Sequence, residues 1–337
     1  MVTLAAAQAS NAKIATSLPS GMVAVFVGGT SGIGEHTLKQ FAEHAKSPRI
    51  YLVGRSQEAA DRIICECAKL NPDGQYAFIE SDVSLLKNVS QVCQRILSET
   101  RTVNLLFQSQ GGLQMEKTSE GLPKAYVLPI TSRVLFALAL LPALQRASGL
   151  KRVVSVFAAG YEGPFDENDW SEYASKHPIM ARGHLASMIT MAHNVLARKA
   201  PDVSFIHNYP GAVKTNFGKD AKGVMSMVRM AFMLFGPLFL KYRSPEESSV
   251  LQLYGATSAA FLPAVGTAAG VPPPDRISVA TGTYGKQGSG SYSLNALCER
   301  VSHDVEKRLV DALDNGVEDR LWAHIVCEIE QRIGKVY

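Results

Sequence analysis

The chain has 337 residues, of which 46% are hydrophobic and 19% charged, and its formal net charge is +4. This composition is typical of a compact globular protein and excludes a disordered chain, and the scattered positive charges argue against a nucleic-acid partner. Five cysteines lack the spacing of zinc ligands, which predicts reduced thiols, no bound metal and a cytoplasmic location. They are Cys65, Cys67, Cys93, Cys298 and Cys327.

The segments along the chain predict one domain with two extensions. Residues 1–20 are rich in Ala and Ser but lack the basic start and long apolar core of a signal peptide, so we predict an N-terminal extension. The domain covers 21–290, and 291–337 form a C-terminal helical extension of it. The most apolar segment, 224–240, contains Arg229 and is shorter than the ~20 residues of a spanning helix, so no membrane span is predicted.

Short β-branched runs alternate with amphipathic patterns throughout the domain. Strands are predicted over 23–27, 49–53, 76–80, 105–108, 152–156, 204–208 and 283–284. Helices are predicted between them over 35–44, 58–70, 86–98, 130–147, 180–199 and 245–258. This alternation predicts right-handed crossovers and a doubly wound parallel sheet, the Rossmann-type three-layer α/β/α fold.

Two further amphipathic helices are predicted after the last strand. Asn315-Gly316 is typical of a helix end and would separate them. One apolar stripe consists of Leu294, Leu297, Val301, Val305 and Leu309, and the other of Leu321, Trp322, Ile325, Val326 and Ile329.

A glycine-rich turn between the first strand and the first helix is the main functional signal. Gly28, Gly32 and Gly34 allow a sharp turn and let a diphosphate approach the bare N–H groups at the helix start. The helix dipole adds partial positive charge at the same point. Because the motif lies between a strand and a helix, it indicates a dinucleotide site.

This turn, Gly-Gly-Thr-Ser-Gly-Ile-Gly, and the alternation of elements closely resemble the short-chain dehydrogenase/reductase family over roughly residues 21–258. The resemblance implies a nicotinamide-dependent oxidoreductase in which Thr30, Ser31 and Ile33 line the phosphates beside the three glycines. It also implies cofactor contacts from Asp82, Val83, Gln110, Gly111, Pro210, Gly211, Val213 and Thr215.

The end of the second strand favours NADP(H) over NAD(H). An acidic side chain there would bind the ribose hydroxyls of NAD and repel a 2′-phosphate. This chain has Arg55 and Ser56 instead, and both suit a phosphate dianion. The alternative interpretation of Arg55 is a solvated surface residue.

The usual catalytic residues of that family are missing. The resemblance implies a Ser after the fifth strand and a Tyr-x-x-x-Lys pair opening the next long helix, where the ammonium lowers the tyrosine pKa. The serine position falls on Phe157 or Ala158. The tyrosine position falls on Met180 and the lysine position on His184. Pro129 lies nearest to the position of the family's asparagine.

Three side chains are candidate replacements. His184 would hold the nicotinamide ribose or act as acid or base, and its alternative role is a packed, hydrogen-bonded histidine. Tyr161, in the loop after the fifth strand, would supply a hydroxyl or serve only in packing. Tyr173 would be the proton donor if Tyr173 and Lys176 represent the motif with one residue lost, although Pro178 then interrupts the helix.

The substrate side is predicted from a thioether-rich segment over 224–240. Such a lid suits a bulky, lipophilic small molecule, and the alternative is a buried helix in a homo-oligomer. Its methionines are Met225, Met227, Met230 and Met233. By its divergent catalytic segment, the chain resembles a fungal branch of the family found in specialised metabolism.

Three functions are compatible with these patterns. The first is an NADP(H)-dependent oxidoreductase with non-standard catalytic residues. The second is a redox-neutral isomerase, cyclase or dehydratase that keeps NADP(H) as a structural ligand, which would explain the missing tetrad directly. The third is a non-catalytic binding protein.

Overall fold

A parallel β-sheet forms the centre of the computed structural model, which describes residues 2–215, 218, 226–227, 230, 242–266, 270–273 and 278–334. The strands are β1 (Val23–Val27), β2 (Arg49–Gly54), β3 (Gln75–Glu80), β4 (Leu105–Gln108), β5 (Arg152–Val156), β6 (Ser204–Asn208), β7 (Ala212–Val213), β8 (Tyr242–Arg243) and β9 (Ser291–Leu294). Seven of them form the main sheet in the order β3-β2-β1-β4-β5-β6-β9, and β7 pairs with β8.

Helices cover both faces of this sheet. They are α1 (Leu4–Asn11), α2 (Ile14–Ser17), α3 (Gly32–His44), α4 (Gln57–Leu70), α5 (Leu86–Glu99), α6 (Lys124–Gln145), α7 (Tyr173–Lys176), α8 (Ala181–Lys199), α9 (Pro245–Thr257), α10 (His303–Asp314) and α11 (Val317–Ile333). The predicted doubly wound α/β fold is therefore confirmed.

The core consists of two apolar clusters, one on each side of the sheet. Along β1, Val23, Val25 and Val27 belong to one cluster, and the intervening Ala24 and Phe26 belong to the other. All seven main strands pair in parallel, so their carboxyl ends lie at one edge. Because β1 lies between β2 and β4, the crossovers diverge there and leave a crevice at that edge.

The seventh strand was predicted in the wrong place. Residues Thr283 and Tyr284 lie in a turn, and the strand is Ser291–Leu294. Its two serines are buried because their hydroxyls donate to side-chain oxygens of Asn194 and Glu162. The predicted domain boundary at residue 290 therefore falls just before a strand of the main sheet.

The first of the two predicted C-terminal stripes was wrong in part. Leu294 lies in β9 and Leu297 in the turn after it, and α10 begins only at His303. The second stripe is confirmed in α11, where Leu321, Ile325 and Ile329 are buried and Trp322 and Val326 are half-buried. Gly316, with φ 69°, separates the two helices as predicted.

The last helix is fastened to α8 by buried polar contacts. Glu318, at the start of α11, is 1% exposed and accepts hydrogen bonds from Asn194 at 2.8 Å and from Arg198 at 2.5 Å. Burying a carboxylate is costly unless it is paired in this way. The segment after β9 is therefore packed against the domain.

Helix α6 starts earlier than predicted and contains a π turn. The turn spans Val127–Thr131, where Pro129 has no N–H to donate to the α-helical ladder. By length and hydropathy α6 is the one described helix that resembles a membrane span, but 78% of its most apolar window is buried inside the protein. Core helices commonly combine these properties.

Candidate active site

A cleft of about 540 Å³ opens at the carboxyl edge of the sheet. The segments that follow β1 to β6 line it, together with α6, the start of α8 and part of the β7–β8 pair. Clefts of this size at the switch point of a doubly wound sheet commonly bind small molecules and cofactors. All the predicted cofactor residues except Ser56 line this cleft.

The glycine turn forms one wall of the cleft. Gly28 has φ 79°, and a Cβ there would lie 2.6 Å from the backbone nitrogen of Gln110. A Cβ on Gly34 would lie 2.6 Å from the carbonyl oxygen of Gly28. Since the Ser31 side chain makes no capping bond at the start of α3, it does not occupy the helix N–H groups. This bare turn fits a diphosphate.

The end of the cleft that was predicted to bind the adenosine lies beside β2 and β3. Arg55 is exposed and lines the cleft, as do Asp82 and Val83. Ser56 does not line it, because its hydroxyl caps α4 by accepting a hydrogen bond from the backbone N–H of Ala59 at 3.2 Å. The predicted phosphate contact from Ser56 is therefore not supported by its position.

The end of the cleft that was predicted to bind the nicotinamide lies beyond β4 and β6. Pro210, Gly211, Val213 and Thr215 line it on one side, and Gly211 has φ 87°. Gln110 and Gly111 line it on the other. The amide of Gln110 is buried, and neither of its polar atoms has a hydrogen-bond partner among the residues that the structure describes. Since buried amides are normally paired, this orphaned amide fits a polar ligand.

The residues predicted at the family's catalytic positions bring no hydroxyl or ammonium group to the cleft. Phe157 and Ala158 line the cleft after β5, and Pro129 lines it from the π turn of α6. Met180 is 61% exposed and is not among the lining residues. The start of α8 instead presents Pro178, Ala181, Arg182 and Leu185 to the cleft.

His184 lies outside the cleft and inside the protein. Its Nδ1 accepts a hydrogen bond from the backbone N–H of Asp166 at 3.3 Å, and its Nε2 lies 3.2 Å from the carbonyl oxygen of Trp170. Both ring nitrogens are thus engaged in a neutral imidazole, and burial lowers the His184 pKa. The ring of Tyr173 stacks on it, with 4.4 Å between centroids. Neither ring lines the cleft.

Tyr161 does not line the cleft, but it contacts two residues that do, Arg182 and Tyr209. Its ring is 48% exposed and lies 5.2 Å from the ring of Tyr209, which lines the cleft just before Pro210. The Arg182 guanidinium carbon lies 3.5 Å from the centre of the Tyr161 ring and 5.1 Å from that of Tyr209. Neither Arg182 nor Tyr209 was predicted as a site residue, although both lie in segments that resemble the family's motifs.

A third missed residue, Arg133, lies at the floor of the cleft. It is 3% exposed, and its guanidinium donates to the carbonyl oxygens of Gln110 at 2.8 Å and Val156 at 3.0 Å. Its third nitrogen, Nη1, has no hydrogen-bond partner within the described part of the chain. Burial lowers the Arg133 pKa to about 9, which leaves it cationic at neutral pH. Because Arg133 lies in an otherwise apolar helix, the sequence pattern did not predict a role for it.

Behind the floor, a buried polar network holds the loop after β5. Glu162 is 1% exposed and accepts hydrogen bonds from Gly160 N–H, Thr190 and Ser293 at 2.7, 2.8 and 2.5 Å. The Thr190 hydroxyl also lies 2.8 Å from Nδ1 of His207. Although burial opposes ionisation, these donors and His207 hold the Glu162 pKa below its usual value. The network therefore fixes the loop that carries Tyr161.

Possible metal ligands are not clustered in the described part of the chain. Among the residues that the structure describes, no group of three or more His, Cys, Asp or Glu side chains is placed to hold a metal ion.

Of the predicted methionine lid, Met225 and Met233 lie outside the described residues, while Met227 and Met230 are exposed.

The chain is similar in sequence and in fold to known proteins. The short chain dehydrogenase family model matches residues 22–223. The chain is 37% identical over 281 residues to the oxidoreductase andH of Emericella variicolor, covering 82% of each chain. It is 30% identical over 305 residues to the short-chain dehydrogenase/reductase SAT2 of Stachybotrys chartarum, covering 82% of this chain and 84% of that one.

Solved structures agree in fold. The crystal structure of YwfH, an NADPH-dependent reductase involved in bacilysin biosynthesis, superposes with a TM-score of 0.55. It is 12% identical and covers 70% of this chain and 91% of its own.

Proposed function

The chain belongs to the short-chain dehydrogenase/reductase family of oxidoreductases, and we propose that it is an NADP(H)-dependent oxidoreductase of a lipophilic small molecule. The observation that carries this proposal is one continuous cleft, which has the glycine turn and Arg55 at one end and Arg133 and Tyr209 at the other. The half with the glycine turn and Arg55 suits a dinucleotide. The half with Arg133 and Tyr209 offers hydrogen-bond donors at positions other than those of the family's Ser, Tyr and Lys.

The cofactor would be held by backbone and by one cation. The N–H groups at the start of α3 would bind the diphosphate, and Arg55 would bind the 2′-phosphate. The Pro210-Gly211 turn would flank the nicotinamide. When bound, the reduced cofactor supplies the hydride for carbonyl reduction.

The reacting oxygen would lie near Arg133 and Tyr209. A fixed cation in a floor of low dielectric stabilises negative charge that develops on a substrate oxygen. Tyr209 lines the cleft, and we assign its hydroxyl as the proton donor to that oxygen. Burial raises the pKa of this hydroxyl, and the Arg182 guanidinium beside it opposes the rise. Arg133 then acts through its charge and through the loop carbonyls that it holds.

The substrate half of the cleft supports a lipophilic substrate. Its lining is largely apolar, and apolar walls with a few polar groups are typical of sites for such molecules. These residues are Leu113, Met115, Leu128, Pro129, Phe157 and Leu185. The fungal sources of the relatives suit a place in specialised metabolism, and the free cysteines suit a reducing compartment such as the cytoplasm.

A cofactor titration tests this proposal. We expect NADPH to bind more tightly than NADH to the purified protein, and Arg55→Ala to weaken NADPH binding roughly tenfold with little change for NADH. Arg101→Ala, an exposed arginine at the opposite edge of the sheet, is the matched control. Absence of NADPH binding to the wild-type protein would refute the proposal.

A redox-neutral reaction is the second candidate. It is favoured by the start of α8, where Pro178, Ala181 and Leu185 bring neither a hydroxyl nor an ammonium group to the cleft. The two candidates differ in one measurement, the absorbance of the reduced nicotinamide while a substrate turns over. Product formation without any change in this absorbance would favour the redox-neutral reaction.

A further inference from the structure

The side chains of Tyr161, Arg182 and Tyr209 form a stack at the substrate end of the cleft. The Arg182 guanidinium carbon lies 3.5 Å from the Tyr161 ring centre and 5.1 Å from the Tyr209 ring centre, and the two rings meet edge to face at 79°. Cation–π contacts of this kind hold the guanidinium over the rings, and its N–H groups point outward in its own plane. The stack therefore presents an oriented donor.

The charges that line the cleft are unequal. Within the described part of the chain, four cations line it, Arg55, Lys124, Arg133 and Arg182, and one acid, Asp82. Asp82 lies at the adenosine end, after β3. Lys124 is paired with Glu116 at 3.1 Å. The substrate end thus has two arginines and no lining carboxylate among these residues.

Arg182 has no described carboxylate within ion-pairing distance. The contacts of its guanidinium are the two tyrosines. A guanidinium held in a fixed plane without an acidic partner is suited to bind a planar anion through two parallel hydrogen bonds.

Two sources could supply such an anion, the cofactor phosphates and the substrate. The phosphate-binding glycine turn follows β1, and Arg55 follows β2. Arg182 instead lies at the start of α8 and contacts Tyr161, which follows β5, and Tyr209, which follows β6. The position of the stack therefore favours the substrate.

We propose that Arg182, oriented by Tyr161 and Tyr209, binds an anionic oxygen group, such as a carboxylate or enolate, on an otherwise apolar substrate. This proposal rests on the proposed function because it concerns the substrate end of the same cleft. It narrows the substrate class from lipophilic molecules to lipophilic acids. The apolar lining would take the body of the molecule, and the stack would take its charged end.

A pair of dyes tests the proposal without knowledge of the substrate. 8-Anilino-1-naphthalenesulfonate is an apolar anion, and N-phenyl-1-naphthylamine is the same molecule without the sulfonate. Both are titrated by fluorescence into the protein saturated with NADP⁺. The variants are Arg182→Met, which keeps an apolar stem, Arg182→Lys, which keeps the charge without the planar fork, and the distant Arg101→Met as a control.

We expect Arg182→Met to weaken binding of the sulfonate dye roughly tenfold and to leave binding of the neutral dye within about twofold. Arg182→Lys is expected to lie between Arg182→Met and the wild type, and Arg101→Met to match the wild type. The affinity of the Arg182 variants for NADP⁺ should equal that of the wild type. An unchanged affinity would show that Arg182 does not bind a phosphate of the cofactor.

Three results would overturn the proposal. Arg182→Met could bind the sulfonate dye as the wild type does, or lose both dyes equally, which would show a packing role. The wild-type protein could bind neither dye. Because NADP⁺ binding is measured in the same samples, a failure of the proposed function appears as lost cofactor binding and is distinct from each of these results.

Discussion

The ring of His207 accepts a hydrogen bond from the backbone N–H of Ala158, with 3.1 Å between the two nitrogens. Ala158 lines the cleft, and His207 belongs to a buried strand. Since Nε2 of His207 is the acceptor, its Nδ1 carries the proton and faces the hydroxyl of Thr190, which donates to Glu162. The wall of the cleft at Ala158 is thereby linked, through His207 and Thr190, to the buried carboxylate of Glu162.

Replacement of Glu162 by glutamine should therefore loosen the loop after β5. The new amide group would face the hydroxyls and the N–H group that now donate to the carboxylate, and we expect a loss of about 1–3 kcal/mol in the free energy of unfolding. Urea denaturation measures this loss. Glu58→Gln, at an exposed position, serves as the control, and equal stability of the two variants would contradict the network.

Arg133→Met should lower kcat roughly a hundredfold while changing NADPH affinity little, because the fixed charge at the floor acts on the reacting oxygen. Arg133→Lys should recover part of kcat. The matched control is Arg152→Met, which removes a second buried arginine that bridges the carbonyl oxygens of Gly255 and Ser258. Arg152→Met should cost stability and spare kcat. If both methionine variants lose kcat only in proportion to their folded fraction, Arg133 is structural.

His184→Ala should leave turnover per folded molecule unchanged and lower the free energy of unfolding by about 1–3 kcal/mol. The reason is that the ring is buried, stacked on Tyr173 and bonded at both nitrogens. His303→Ala, at an exposed position, should change neither property. A loss of kcat without a loss of stability would return His184 to the catalytic machinery.

Stability should fall as the pH drops below 6.5. Burial lowers the pKa values of His184, His193 and His207 below 6.5, so in this range the unfolded chain binds protons that the folded protein does not. Each histidine can contribute up to about 1.4 kcal/mol per pH unit. Urea midpoints from neutral to mildly acidic pH measure this slope, and His193→Gln should reduce it. A flat profile would contradict neutral burial of these rings.

Gly34→Ala should abolish binding of NADPH. A Cβ at this position would lie 2.6 Å from the carbonyl oxygen of Gly28, so the turn and the start of α3 must separate. Gly255→Ala is the control, since its Cβ would make only ordinary contacts inside α9. Fluorescence titration with NADPH compares the two variants. Unchanged affinity in Gly34→Ala would exclude this turn as the diphosphate site.

The parts that were predicted correctly are those whose signal is local. The apolar run of β1 and the glycines after it are adjacent in the chain, and their pattern requires no knowledge of distant contacts. Strand β9 was missed because its serines are buried only through Asn194 and Glu162, which are far away in sequence. Without these partners, Ser-Tyr-Ser-Leu resembles an exposed loop.

The catalytic end was harder to predict because it depends on the rotation of one helix. His184 and Arg182 are two residues apart, which places them about 200° apart around a helix axis. The resemblance to the family places His184 at the position of the catalytic lysine. In the structure, the packing of α8 instead turns Arg182 to the cleft. Arg133 gave no signal at all, because its carbonyl partners come from the ends of two strands.

The position of β9 has a consequence for the order in which the molecule can be completed. Glu162 and its loop are synthesised well over a hundred residues before Ser293, the partner that closes their network from the edge of the sheet. Until that strand emerges from the ribosome, the catalytic end lacks one of its fixed donors, although the glycine turn can already form. A nascent chain of this protein should therefore acquire its cofactor site before its substrate site.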